Sequence, residues 1–93
     1  MRTVKYTSRF KHDYRREKSG ALGKKSDNLL MDVVDLLATD KSLPRRHVDH
    51  QLAGEWQDHR DCHIRPDLVL VYRLPDAVTL ELVRLGSHSE LGL

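Results

Sequence analysis

Four histidines stand in the second half of this 93-residue chain, at His50, His59, His63 and His88, among acidic and basic side chains. Imidazole is the one side chain whose ordinary pKa, about 6.5, lets it both give and take a proton near neutrality. Several imidazoles near one another therefore point to paired proton transfer. The groups concentrate in the run Arg60, Asp61, Cys62, His63, Ile64, Arg65, Pro66 and Asp67, with a counterpart at Gly86, Ser87 and His88. Metal-free cleavage of RNA uses such a set. A base deprotonates the 2′-hydroxyl, an acid protonates the leaving 5′-oxygen, and a cation stabilises the extra charge on phosphorus. His50, His63 and His88 can do this only if the fold brings them to one end of a small sheet, around a single phosphate.

Other uses of these residues fit less well. His59, Cys62 and His63 offer metal-ligand types, yet no CxxC, no HExxH and no helical HxxxH is present. Strand alternation also sets Cys62 on the face opposite both histidines. No metal or cofactor is expected. Cys62 shares its face with Ile64, which makes it a core thiol rather than a nucleophile.

The elements that must position these groups are legible in outline. Residues 3–7 alternate and suit a short strand, and Ser8 is placed to cap a basic helix running to about Lys18. A turn follows at Ser19, Gly20 and Gly23. From Ser26 to about Thr39, Leu29, Leu30, Val33, Val34, Leu36 and Leu37 recur at helical spacing and make one core-facing stripe. Pro44 breaks the chain, and residues 45–53 read as a loop. Three antiparallel strands follow over 55–65, 67–73 and 78–85, with bends at Pro66 and at Pro75–Asp76. On the first of these, His59, Asp61, His63 and Arg65 share one face, and Arg60, Cys62 and Ile64 the other. Leu68, Leu70 and Tyr72 oppose Val69 and Val71, as suits a central strand with helices on one side. The fold class expected is α+β.

Length and charge set further bounds. The chain is one domain over residues 1–93, with a single cysteine and hence no internal disulfide. It lacks an apolar run of membrane-spanning length and a signal-like core, which suggests a cytoplasmic protein. The net charge of +2 hides an asymmetry: residues 1–25 hold nine basic side chains against Asp13 and Glu17, or +7. Lys11, Arg15, Arg16, Lys18, Lys24 and Lys25 form a basic set suited to a phosphate backbone.

The stretches Asp49–Leu52, Gly54–Trp56, Arg60–Asp67 (RDCHIRPD), Leu70–Tyr72 and Arg84–Leu91 (RLGSHSEL) resemble, in order and spacing, the YafQ branch of the RelE/ParE toxin superfamily. The resemblance implies a small twisted antiparallel sheet of about four strands with two N-terminal helices packed on one face. It implies a toxin of a bacterial toxin–antitoxin pair, a ribosome-dependent endoribonuclease cutting messenger RNA in the ribosomal A site. Its partners would be the ribosome, with its RNA and message, and a cognate antitoxin that wraps the toxin and occludes its site. By the same resemblance His50, His63, Asp67 and His88 are catalytic, and Arg84 binds the scissile phosphate. His88 is the expected general acid; Asp67 with His63 or His50 stands on the base side. Two positions depart from the pattern. Leu68 stands where some relatives have Trp, and Gly92 and Leu93 follow Ser-Glu-Leu where an aromatic residue is common. The alternative within the superfamily is a non-catalytic toxin that binds a target such as DNA gyrase.

Overall fold

The computed structural model describes residues 1–20 and 23–93. Strand β1 (Thr3–Tyr6) leads into helices α1 (Ser8–Ser19) and α2 (Lys24–Ala38). Two short 3-10 turns, Arg45–His47 and Gly54–Trp56, flank the two-residue strand β2 (His50–Gln51). Then come β3 (Arg60–Arg65), β4 (Leu68–Asp76), β5 (Thr79–Gly86) and the single-turn helix α3 (His88–Leu91). The middle of the turn expected after Ser19 lies at residues 21–22, outside the described residues.

One five-stranded sheet has the order β1-β5-β4-β3-β2. The meander β3-β4-β5 is antiparallel as expected, but β1 lies parallel to β5, so the sheet is mixed rather than purely antiparallel. The cause is connectivity: α1 and α2 separate β1 from the meander, and β1 closes the edge that the last strand leaves open. The first strand of the meander begins at Arg60 rather than at residue 55. Gly54 and Asp58, at φ of 67° and 72°, hold the preceding segment in tight turns, a backbone region that strands do not use.

α1 is capped by Thr7, not Ser8. The Thr7 hydroxyl accepts from the Phe10 amide at 3.0 Å and donates to the Val83 carbonyl at 2.8 Å. α2 buries Leu30, Val33, Val34 and Leu37 of the expected stripe, together with Ala38, against Ile64, Leu68, Leu70, Tyr72, Leu80 and Leu82 of the sheet, while Leu29 and Leu36 are only partly buried. Burial of each such leucine, isoleucine or valine stabilises by about 1.5–3 kcal/mol. Cys62 is buried in the same layer, and burial raises its thiol pKa. The other sheet face carries a smaller cluster, Val69, Val71 and Leu91 with Leu52, Trp56 and Val83 beside it. That thinly covered face is where the histidines stand.

Beyond the end of β1, side chains of α1 take over the edge of β5. Thr7 serves Val83, Arg16 Nη2 donates to the Leu85 carbonyl at 3.1 Å, and Asp13 accepts from the Leu85 amide at 3.1 Å. The open ladder is satisfied without another strand.

Candidate active site

Cross-strand partners share a face, and two rows of partners define the site. His50 pairs with Asp61, Asp61 with Val71 and Val71 with Arg84, spanning four strands. His63 pairs with Val69 and Val69 with Gly86, two residues before His88. The imidazoles of His63 and His88 meet edge-on, with ring centroids 4.9 Å apart. His50 Nδ1 lies 2.9 Å from Asp61 Oδ1 and donates to the Val48 carbonyl at 3.1 Å. The sheet thus brings His50, His63 and His88 together on one face.

Asp61, absent from the expected catalytic set, sits at the centre of this group. It is 1 % exposed, and its Oδ1 has no well-aligned hydrogen-bond donor despite the nearby His50 ring. Burial pushes its carboxyl pKa up, while the charges that His50, His63 and His88 take on when protonated pull it down; the net shift is upward. A signal existed in the sequence: Asp61 alternates with His63 on the polar face of β3.

Asp67 sits in the β3–β4 turn, at the His63 end of the sheet, with its side chain 80 % exposed and Arg65 Nε 3.8 Å away. Arg84 occupies the same face as Asp61, about 10 Å away by the spacing of two strands. It reaches round the sheet edge to Asp13, with Nε at 2.6 Å and Nη2 at 3.2 Å. His59 lies outside the group. It stacks edge-on to Trp56 at 5.3 Å and stands four residues from His63, or about 13 Å along an extended chain. Trp56 itself packs against the smaller cluster. Arg65 does not keep the expected face. A register shift between His63 and Arg65 breaks the alternation, and Arg65 donates to the Ser26 hydroxyl on α2 at 3.0 Å.

His88 opens α3, where Ser87 and Glu90 form a reciprocal capping box. Glu90 also pairs with Arg16 of α1 at 3.5 Å. Gly86 permits this approach, since a Cβ there would stand 3.1 Å from Arg16 Nη2 and 3.3 Å from Glu90 Oε1. Gly92 ends α3 in the left-handed region at φ 70°, a conformation glycine adopts freely. Leu68, the other departure from the family pattern, is buried on the helix side.

The basic set divides. Arg16 is engaged by Asp13, Glu17, Glu90 and the Leu85 carbonyl, and Lys18 by Asp27 and the Tyr14 ring. Lys11, Arg15, Lys24 and Lys25 are exposed and take part in no salt bridge among the described residues, and Arg9 and His12 join them. A hollow of about 420 Å³ opens between α1 and α2 around Tyr6, Phe10, Tyr14 and Met31. It lies on the helix side, on the sheet face opposite the histidines.

Residues 2–92 match the family described as bacterial toxin of type II toxin–antitoxin system, YafQ. The chain belongs to the YafQ family of toxins. The mRNA interferase toxin YafQ of Escherichia coli K12 is 33 % identical over 92 residues, covering 98 % of this chain and 96 % of the relative. YafQ in the E. coli DinJ–YafQ complex superposes with a TM-score of 0.84 at 29 % identity, covering 98 % of each chain. A metal-bound toxin from Helicobacter pylori superposes with a TM-score of 0.87 at 42 % identity, covering 98 % of this chain and 99 % of that one. Among the described residues here, no group of three or more His, Cys, Asp or Glu side chains is set to hold a metal ion.

Proposed function

We propose that this YafQ-family toxin is a ribosome-dependent endoribonuclease that cuts messenger RNA in the A site by acid–base chemistry. The observation that carries the proposal is the convergence of three imidazoles and a buried carboxylate on one face of the sheet. The 2′-oxygen attacks phosphorus and loses its proton to a base, drawn from Asp67 with His63 or His50. The bond from phosphorus to the 5′-oxygen breaks, and His88 protonates that oxygen, leaving a 2′,3′-cyclic phosphate and a free 5′-hydroxyl. Arg84 answers the charge on the phosphate, and for this its guanidinium must be shared with Asp13 or released from it. Lys11, Arg15, Lys24 and Lys25, with a lesser share from the engaged Arg16 and Lys18, hold the toxin on ribosomal RNA.

The relatives named mRNA interferase support the activity, and the DinJ–YafQ complex supports a cognate antitoxin as the neutralising partner. Among the described residues no helix is long and apolar enough to cross a membrane, consistent with action on cytoplasmic ribosomes. Expression of His63→Ala or His88→Ala tests the reading. Each variant should fold and no longer arrest growth. Folded variants that remain fully toxic would refute it and favour toxicity by binding alone, as for a gyrase poison.

A further inference from the structure

The segment that delivers His50 has little regular structure of its own. It comprises the 3-10 turn Arg45–His47, Val48 and Asp49, and the two residues of β2. Val48 lies in the left-handed region at φ 47° although it is β-branched and half exposed. That conformation is strained for a β-branched residue and persists only where the surroundings over-determine it. Two grips on either side of Val48 supply the restraint.

On one side, His47 is buried, and its Nδ1 donates to the His63 carbonyl at 2.6 Å. This ties the turn to β3 at the residue whose ring meets His88. On the other side, Asp49 Oδ1 accepts from the Tyr72 hydroxyl at 2.6 Å and from Arg60 Nε at 3.2 Å, and Arg60 Nε also stands 3.3 Å from the Tyr72 oxygen. Tyr72 is 1 % exposed, with its ring among the helix-side core residues. Asp49 and His50 are consecutive in an extended segment, so they point to opposite sides. A grip on Asp49 from the core side therefore sets His50 on the site side, where its Nδ1 meets the Val48 carbonyl and Asp61.

We propose that Asp49, Tyr72, Arg60 and His47 form a positioning clamp that fixes the ring of His50 for proton transfer. The inference rests on the reading of His50 as an acid–base group. None of the four clamp residues touches the reacting phosphate in this account. They act through His50 and the backbone of His63. With Nδ1 held as a donor, Nε2 is left as the nitrogen that exchanges a proton with RNA. The Asp49–Tyr72 bond also pushes the Tyr72 hydroxyl pKa upward, after burial, which keeps it a donor across the working pH range.

Single-turnover cleavage of message on translating ribosomes, with toxin concentration varied, tests the clamp. The variants are Tyr72→Phe, Asp49→Ala, Asp49→Asn, His50→Ala and the double variant Tyr72→Phe with His50→Ala. Tyr72→Phe keeps the ring in the core and should lower the maximal rate about 10-fold, with half-saturation unchanged. Asp49→Asn, whose amide oxygen still accepts, should recover most of the rate that Asp49→Ala loses. In the His50→Ala background, Tyr72→Phe should change the rate less than about twofold, because the hydroxyl acts only through His50. Wild-type rates for Tyr72→Phe and Asp49→Ala beside a crippled His50→Ala would overturn the clamp alone, as would an undiminished Tyr72→Phe penalty in the double variant. A fully active His50→Ala would overturn the acid–base reading of His50, and the clamp with it. Should Asp49→Ala fail to fold by circular dichroism, the Tyr72→Phe cycle decides.

Discussion

Two buried aspartates behave in opposite ways. Asp13, 2 % exposed on α1, is surrounded by donors: Arg84, Arg16 and the Leu85 amide. Burial alone would raise its pKa, but the Arg84 and Leu85 hydrogen bonds and the charges of Arg84 and Arg16 outweigh burial and hold it low. Asp61, 1 % exposed on β3, has histidines around it and an Oδ1 that none of them satisfies with good geometry, and its pKa is raised. A buried carboxylate held by two permanently charged guanidiniums and a backbone amide fastens α1 to the edge of β5. One whose neighbours can gain and lose protons costs stability and remains coupled to their titration. The first is placed to hold the molecule together; the second is placed for chemistry.

The contrast can be broken from the Asp13 side first. Asp13→Ala leaves Arg84 and the Leu85 amide without their partner, and should destabilise by about 3 kcal/mol, read as a lower midpoint in urea. An unchanged midpoint would show that Asp13 is not a fastening. Asp61→Asn should act in the opposite sense, raising stability by about 1 kcal/mol while slowing cleavage about 10-fold. A loss of stability with full activity would reverse the assignment.

The pH dependence sharpens the same comparison. A raised folded-state pKa for Asp61 means that its penalty is fully present above that pKa and is relieved as pH falls toward the ordinary value of 3.8. The advantage of Asp61→Asn should therefore shrink over that interval. Asp13, lowered from 3.8, contributes stability that is present above 3.8 and lost as pH falls through its folded value. Urea titrations of wild type and both variants between neutral and acid pH would read the two opposite trends. Smaller effects are expected in the basic set. Lys11→Ala and Arg15→Ala should each reduce the slope of log affinity for ribosomes against log salt by about 1. Arg16→Ala should change that slope less and lower thermal stability instead, since Arg16 is spent on Asp13, Glu90 and the Leu85 carbonyl.

What was legible in the sequence follows locality. The helical stripe of α2 and the β3-β4-β5 meander are set by spacing and by turns a few residues long, and both appear close to their expected limits except at the start of β3, five residues later than expected. His59, expected to share a strand face with His63, instead precedes β3, which begins only at Arg60 after the turn at Asp58. The motif order carried His50, His63 and His88 to one site face. Features made by distant pairings were not visible. β1 lies parallel to β5 across more than seventy residues, and the Asp13–Arg84 pair joins a helix to a strand that no periodicity connects. The register shift after His63, which turns Arg65 toward α2, depends on how a single turn closes. Asp61 was in view as a member of the polar stripe, but its burial depends on packing from β2 and β4, which one strand read alone does not contain.

The central claim, that this face of the sheet transfers protons during RNA cleavage, is tested most directly by the chemistry of the cut ends. Purified wild-type toxin and His88→Ala would be incubated with translating ribosomes, and the message ends mapped and analysed for their terminal groups. The account predicts A-site cuts ending in a 2′,3′-cyclic phosphate with a 5′-hydroxyl on the downstream fragment, and their loss with His88→Ala. Intact messages, or cuts bearing a 3′-hydroxyl and a 5′-phosphate, would contradict it.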